Sequence, residues 1–179
     1  MKRIIGIDPG LANTGWGVVD ADGTRYVYRD HGVISTKSSM GVGERLLFIY
    51  DSLVAVIAKF KPVEAGIESL YFARNITSAI PVAQARGLVL LALAQKQIQA
   101  SEYPPQAIKQ AIVGAGRAEK QQVQDMVRVL LGLPEIPRPD HAADALAAAI
   151  CHANTLQVTD ALRAGRRPTG DARSEDPDR

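Results

Sequence analysis

The stretch that most restricts the fold is IIGIDPGLANTGWGVVD, from Ile4 to Asp20. A β-branched apolar run without polar alternation leads to a single carboxylate, Asp8, and Pro9-Gly10 follow at once. Such a run is what a strand covered on both faces looks like. Pro-Gly and a short polar loop turn the chain, and Thr14 to Val19 supplies a second strand hairpinned on the first. Asp8 therefore stands where a buried strand leaves the core. An unpaired carboxylate there is costly. It needs a cation or strong donors, or it caps the turn through its own backbone, as Asp before Pro-Gly often does.

The chain continues with a turn at Asp22-Gly23 and a third strand from Arg25 to Ser35. Apolar residues at helical spacing predict a helix from Glu44 to Phe60, stopped by Pro62. VEAGIE, Val63 to Glu68, predicts a fourth strand that again ends in a carboxylate. A long helix is expected from a cap at Thr77 or Ser78 to about Gln99, with Pro81 in its first turn. Ser101 to Tyr103 is a short fifth strand. Helices over Gln106–Ile112 and Ala118–Leu131 follow, and Asp140 caps a last helix from His141 to about Leu156. The reading is one α/β domain over residues 1–158: three antiparallel strands, then parallel strands joined by helical crossovers. Residues 159–179 lose their apolar content and read as a disordered tail, its acidic and basic residues balanced at five each.

Composition excludes some classes. A chain of 179 residues with 46% apolar and 22% charged residues suits one soluble domain. No apolar run approaches the roughly 20 residues of a membrane span, and Met1-Lys2-Arg3 leads into a strand without a signal-peptide pattern. The single cysteine, Cys151, excludes an internal disulfide and fits a cytoplasmic location. One Cys and three His do not build a zinc pattern. A net charge of +2 permits nucleic-acid binding without arguing for it.

Three acids share a kind of placement: Asp8 and Glu68 at strand ends, and Asp144 near the start of the last helix. His141 lies three residues before Asp144, on the same helix face. If strands one and four are parallel neighbours, Asp8 and Glu68 emerge at one sheet edge, where open α/β sheets put their sites. Three carboxylates and an imidazole at close range repel unless neutralised. A pair of divalent cations resolves the conflict, and oxygen ligands with one nitrogen suit Mg²⁺ or Mn²⁺. Taken singly, Glu68 also reads as a solvated strand end, His141 as a surface residue and Asp140 as a helix cap.

GIDPGLANTGWGVV, IESLYFARN, QARG, VGAGRAEKQQVQ and HAADALAAAI, in order from Ile4 to His152, resemble the RuvC family of bacterial Holliday-junction resolvases. That family belongs to the ribonuclease H-like superfamily. The resemblance implies a five-stranded ribonuclease H-like sheet flanked by helices. It also implies an endonuclease that places paired, symmetric nicks in four-way junction DNA, in recombination and repair. It would act as a homodimer beside the RuvA–RuvB branch-migration complex, leaving 5′-phosphate and 3′-hydroxyl ends. Asp8, Glu68, His141 and Asp144 fall on the four metal-site positions for two Mg²⁺ or Mn²⁺ ions; the commoner variant has Asp where this chain has His141. In the role we assign, Asp8 bridges both ions, Glu68 holds one, and Asp144 and His141 hold the other.

DNA contacts are expected from Tyr71, Phe72 and Arg74 just past Glu68, where aromatic stacking meets a phosphate-binding cation. Both rings also read as core. Lys109 and Lys120 fall on family positions for DNA contact, with Arg117 beside them and the Gly114-Ala115-Gly116 turn offering backbone amides; each lysine also reads as a solvated surface residue. Asp-Pro-Gly followed by a Thr-Gly hairpin also resembles the first phosphate loop of actin-like ATPases, but no second such loop is present. A non-catalytic junction binder and a nuclease for RNA–DNA hybrids are further alternatives. The filled acidic positions oppose the first, and the motifs beyond the acids oppose the second.

Overall fold

The computed structural model describes residues 1–69 and 76–165. Strands β1 (Lys2–Asp8), β2 (Asn13–Asp22), β3 (Arg25–Ser35), β4 (Glu64–Glu68) and β5 (Gln99–Tyr103) form one sheet in the order β3-β2-β1-β4-β5. β1, β2 and β3 run antiparallel, and β4 and β5 join parallel beside β1. Helices α1 (Val42–Phe60) and α2 (Ile76–Gln95) cover one face. Helices α3 (Pro105–Val113), α4 (Lys120–Leu130) and α5 (Asp140–Gly165) cover the other. This is the ribonuclease H-like architecture expected from the sequence. Among the described residues no helix is long and apolar enough to cross a membrane.

Several boundaries differ from expectation. α2 begins at Ile76, so Pro81 lies inside the helix rather than in its first turn, where its missing N–H costs one helical bond. α2 also stops at Gln95, because Gln97 takes a positive φ of 56° and the Ile98 amide turns back to Leu93. That frees Gln99 and Ala100 to pair with Glu64 and Ala65, so β5 starts two residues earlier than Ser101. Finally, α5 does not end near Leu156. It runs to Gly165, into the stretch expected as tail from residue 159. Ala161, Leu162 and Arg163 are good helix formers, and Asp160 pairs with Lys2 at 3.3 Å. Residues 166–179 lie outside the described residues.

The two-residue period of the strands divides the core. Ile5, Ile7, Val18 and Ile67 point to α1 and α2. Ile4, Val19 and Ala21 point to α5 and its neighbours. Gly6, Gly17 and Gly66, in register across β2, β1 and β4, fall on the α5 side. There a β-carbon on Gly6 would lie 1.8 Å from the Ala145 carbonyl oxygen, and one on Gly66 2.5 Å from that of Ala148. Gly15 meets the His141 carbonyl in the same way, at 2.0 Å. At Gly6, Gly15 and Gly66 the sheet meets helix backbone, at Gly17 it meets the Leu146 side chain, and the run Ala142 to Ile150 is buried apart from Asp144. α5 therefore lies closer to the sheet than larger side chains would permit.

The opposite face is fastened by Asp20, 6% exposed. Arg3 reaches its two oxygens at 2.7 and 3.0 Å, and Arg29 donates at 2.8 and 2.6 Å. Arg3 also donates to the Phe60 carbonyl at the end of α1. The Arg3 hydrogen bond, reinforced by Arg29, holds the Asp20 carboxyl below its ordinary value of 3.8. Asp20→Ala strands two guanidinium groups that water can still reach, so a loss of about 2 kcal/mol is expected. A depressed folded pKa means that stability is present above the ordinary carboxylate value. It is lost as pH falls and the unfolded chain takes up the proton first. Urea denaturation should show the gap between wild type and Asp20→Ala at pH 7 shrinking as pH drops below about 3.8. A gap unchanged with pH would show that the ion pair is not its source.

Candidate metal centre

The same two-residue period that puts Gly6 and Gly66 under α5 puts Asp8 and Glu68 there as well. Ile7 pairs with Ile67, so the two acids leave the sheet side by side at the ends of parallel strands. α5 supplies the rest. Seated on Gly15, it brings His141 Nδ1 to 2.7 Å from Asp8 Oδ2, and the imidazole donates to the carboxylate when Nδ1 carries the proton. Asp8, His141 and Asp144 each offer a ligand atom within 4.8 Å of the others. Glu68 stands outside that tight group. It borders a cavity of about 220 Å³ shared with Asp144, Lys109 and Lys120 and walled by Ile108 and Val123.

The repulsion expected among these groups is relieved in three ways. Burial raises the Asp8 pKa, while the His141 hydrogen bond opposes that rise. Asp144 takes the ammonium of Lys120 at 3.0 Å. Glu68 is pushed up to about 8 by burial first and by the charges of Asp8 and Asp144 next, with Lys120 and Lys109 opposing. Hard carboxylate oxygens with one softer imidazole nitrogen make a set that fits a divalent cation such as Mg²⁺ or Mn²⁺. Were Glu68 to join the ligands of such an ion, it would have to give up its proton.

A test of Glu68 follows without any substrate. In metal-free protein the folded state keeps the Glu68 proton up to about pH 8, while the unfolded chain loses it near 4.5. Stability therefore falls as pH rises through that window. Glu68→Gln removes the penalty and should raise Tm at pH 8 in EDTA by about 2–4 °C, as for a gain near ~1 kcal/mol. Calorimetry should find the difference closing toward pH 4.5, and a difference independent of pH would refute the raised pKa.

The remaining expected residues divide. Lys109 and Lys120 reach the cavity. Arg117 is exposed on the turn between α3 and α4 and does not line it. The glycine turn offers less than expected, since the Gly116 amide already donates to the Gln110 side chain and Gly114 donates to the Gln110 carbonyl. Tyr71, Phe72 and Arg74 lie outside the described residues. Asp140 is no cap: α5 begins at Asp140 itself, whose carboxylate pairs with Lys120 at 3.3 Å and Arg138 at 2.8 Å. The sequence reading missed this pairing, although Asp140 and Asp144 are spaced for one helix face. It also missed the glycine row, whose signal was three short glycine-bearing strands set against an alanine-rich helix.

A β3-β2-β1-β4-β5 sheet with carboxylates at the ends of β1 and β4, faced by a helix carrying a third, defines a ribonuclease H-like protein of the nuclease kind. The model of the family "Crossover junction endodeoxyribonuclease RuvC" matches residues 4–152, and the chain belongs to that family. A crossover junction endodeoxyribonuclease RuvC from Treponema denticola is 56% identical over 155 residues, 87% of each chain. One from Chloroflexus aggregans is 52% identical, over 86% of this chain and 93% of its own. The structure of T. thermophilus RuvC in complex with Holliday junction substrate superimposes with a TM-score of 0.85 at 36% identity, over 89% of this chain and 97% of that one. The yeast mitochondrial Holliday junction resolvase Ydc2 shares the fold, with a TM-score of 0.63 at 14% identity.

Proposed function

We propose that this chain is a metal-dependent endonuclease that resolves four-way DNA junctions by paired nicks, leaving 5′-phosphate and 3′-hydroxyl ends. The observation that carries the reading is the meeting of Asp8, His141 and Asp144 within 4.8 Å beside Glu68, in a chain of this family. These four residues would hold two Mg²⁺ or Mn²⁺ ions. When bound, such a pair supplies an activated water and shields the charge of the attacked phosphate. The chain's own groups do the positioning. His141 fixes the Asp8 carboxylate, Glu68 borders the cavity half-buried, and Lys109 and Lys120 set positive charge at the cavity rim for the DNA backbone. Tyr71, Phe72 and Arg74 lie three to six residues past Glu68, and we assign them base stacking and phosphate contact, with Arg117 on the α3–α4 turn as a further phosphate contact.

Paired nicks need two centres, and a homodimer supplies them. In support, α1 and α2 leave Leu47, Phe48, Ile80 and Leu91 about half exposed or more, on the face away from α5. We assign the protein to the cytoplasm, with the RuvA–RuvB branch-migration complex as its partner. Incubation with a synthetic four-way junction and a linear duplex, with and without Mn²⁺, tests the reading. Metal-dependent cleavage of the junction in two opposed strands is expected, with the duplex spared. Equal cleavage of both, or cleavage undiminished by EDTA, would overturn it.

A further inference from the structure

Lys120, the first residue of α4, holds two acids at once: its ammonium lies 3.0 Å from Asp144 Oδ2 and 3.3 Å from Asp140 Oδ2. The acids stand four residues apart on α5, share a face, and repel each other without a cation between them. Asp140 is gripped separately by Arg138 at 2.8 Å. Gln124, one turn along α4 from Lys120, is buried, and its amide nitrogen has no hydrogen-bond partner among the described residues. Half-exposed ion pairs add little to stability. The packing of α4 on α5 already rests on Val123 and Val127. A brace between helices does not account for the arrangement.

We propose that Asp140 is a positioning residue that receives the Lys120 ammonium when a divalent ion takes Asp144. The inference rests on the metal-centre reading above. An ammonium and a divalent ion on the one Asp144 carboxylate repel each other strongly at that separation. With Asp144 as its one partner, Lys120 would compete with the metal. Asp140 removes the competition: it is a second anion already at 3.3 Å, so a small movement of a flexible side chain completes the transfer. Arg138 holds Asp140 in place. The ammonium then stays at the cavity rim, facing DNA phosphate, instead of dispersing into solvent.

Manganese titration by calorimetry tests this in the full-length protein, in four forms: wild type, Asp140→Asn, Lys120→Met and the double variant. Asp140→Asn should weaken Mn²⁺ binding about three- to fivefold where Lys120 is present, and by little in the Lys120→Met background. Asp140→Glu should restore the affinity. A role of Asp140 in starting α5, or its own attraction for the metal, would weaken binding equally in both backgrounds, and that result overturns the proposal. So does an affinity that Asp140→Asn leaves unchanged. Circular dichroism establishes that each variant is folded. If wild type shows no Mn²⁺ uptake that Asp8→Asn abolishes, the metal-centre reading fails, and this inference falls with it.

Discussion

Asp8→Asn abolishes junction cleavage, with a fall of about 10³-fold or more in single-turnover rate and junction binding kept within a few-fold. Asp8 is the acid at the meeting point: it ends β1, touches His141 and lies within ligand range of Asp144. An amide at this position loses the negative charge that attracts a divalent ion. Ions at such a centre supply several kcal/mol of transition-state stabilisation, and each 1.36 kcal/mol is about tenfold in rate. The geometry survives the change, because Asn is isosteric and its side-chain oxygen still accepts from His141. Binding survives because it depends on cations at the rim, and removing an anion does not weaken attraction for phosphate. Single-turnover cleavage in Mn²⁺ alongside gel-shift binding in EDTA separates the two. A variant that cuts at near wild-type rate would remove Asp8 from the chemistry.

Gly6→Ala has the second large effect, on fold and site together. The added methyl would lie 1.8 Å from the Ala145 carbonyl oxygen, and backbone on both sides leaves no flexible group to yield. α5 must lift, uncovering part of the alanine run that forms the core of that face. A loss of about 3 kcal/mol or more is expected from such overpacking. Because α5 carries His141 and Asp144, a lift of about 1 Å also separates them from Asp8 and should slow cleavage about 10²-fold in whatever remains folded. Gly87→Ala is the control. Nothing lies within 4 Å of a β-carbon there, and the residue sits within α2, so a gain of about 0.5–1 kcal/mol is expected. Urea denaturation and cleavage of the two variants compare the cases. A Gly6→Ala protein as stable and active as wild type would show that close seating of α5 is not what assembles the site.

Much of this was legible in the sequence, for identifiable reasons. The unbroken apolar run before Asp8 and the short VEAGIE stretch read as strands, as they are. Parallel pairing of the two then brings their terminal acids together, as the Ile7–Ile67 register does. Asp144 was readable because an acid among alanines needs a partner. Other features were not legible, because they depend on distances across the fold. Gln97 ends α2 early through a positive φ that no pattern announces. α5 runs past Leu156 although its apolar content thins, since the helix propensity of residues such as Ala161 and Leu162 continues it to Gly165. Asp140 looked like a cap because Asp is a common cap, and its engagement with Lys120 requires α4 to be in place. Gly6, Gly17 and Gly66 lie on three separate strands, and their row exists only in register across those strands.

The central claim is that close seating of α5 on glycine brings anions from β1, β4 and α5 to one point because divalent ions are held there. Anomalous scattering from a crystal soaked in MnCl₂ measures this directly. The account predicts manganese peaks between Asp8 and Asp144, with His141 and Glu68 among the ligands and Lys120 shifted onto Asp140. No manganese at that edge, with Asp8 and Asp144 turned away from each other, would contradict it.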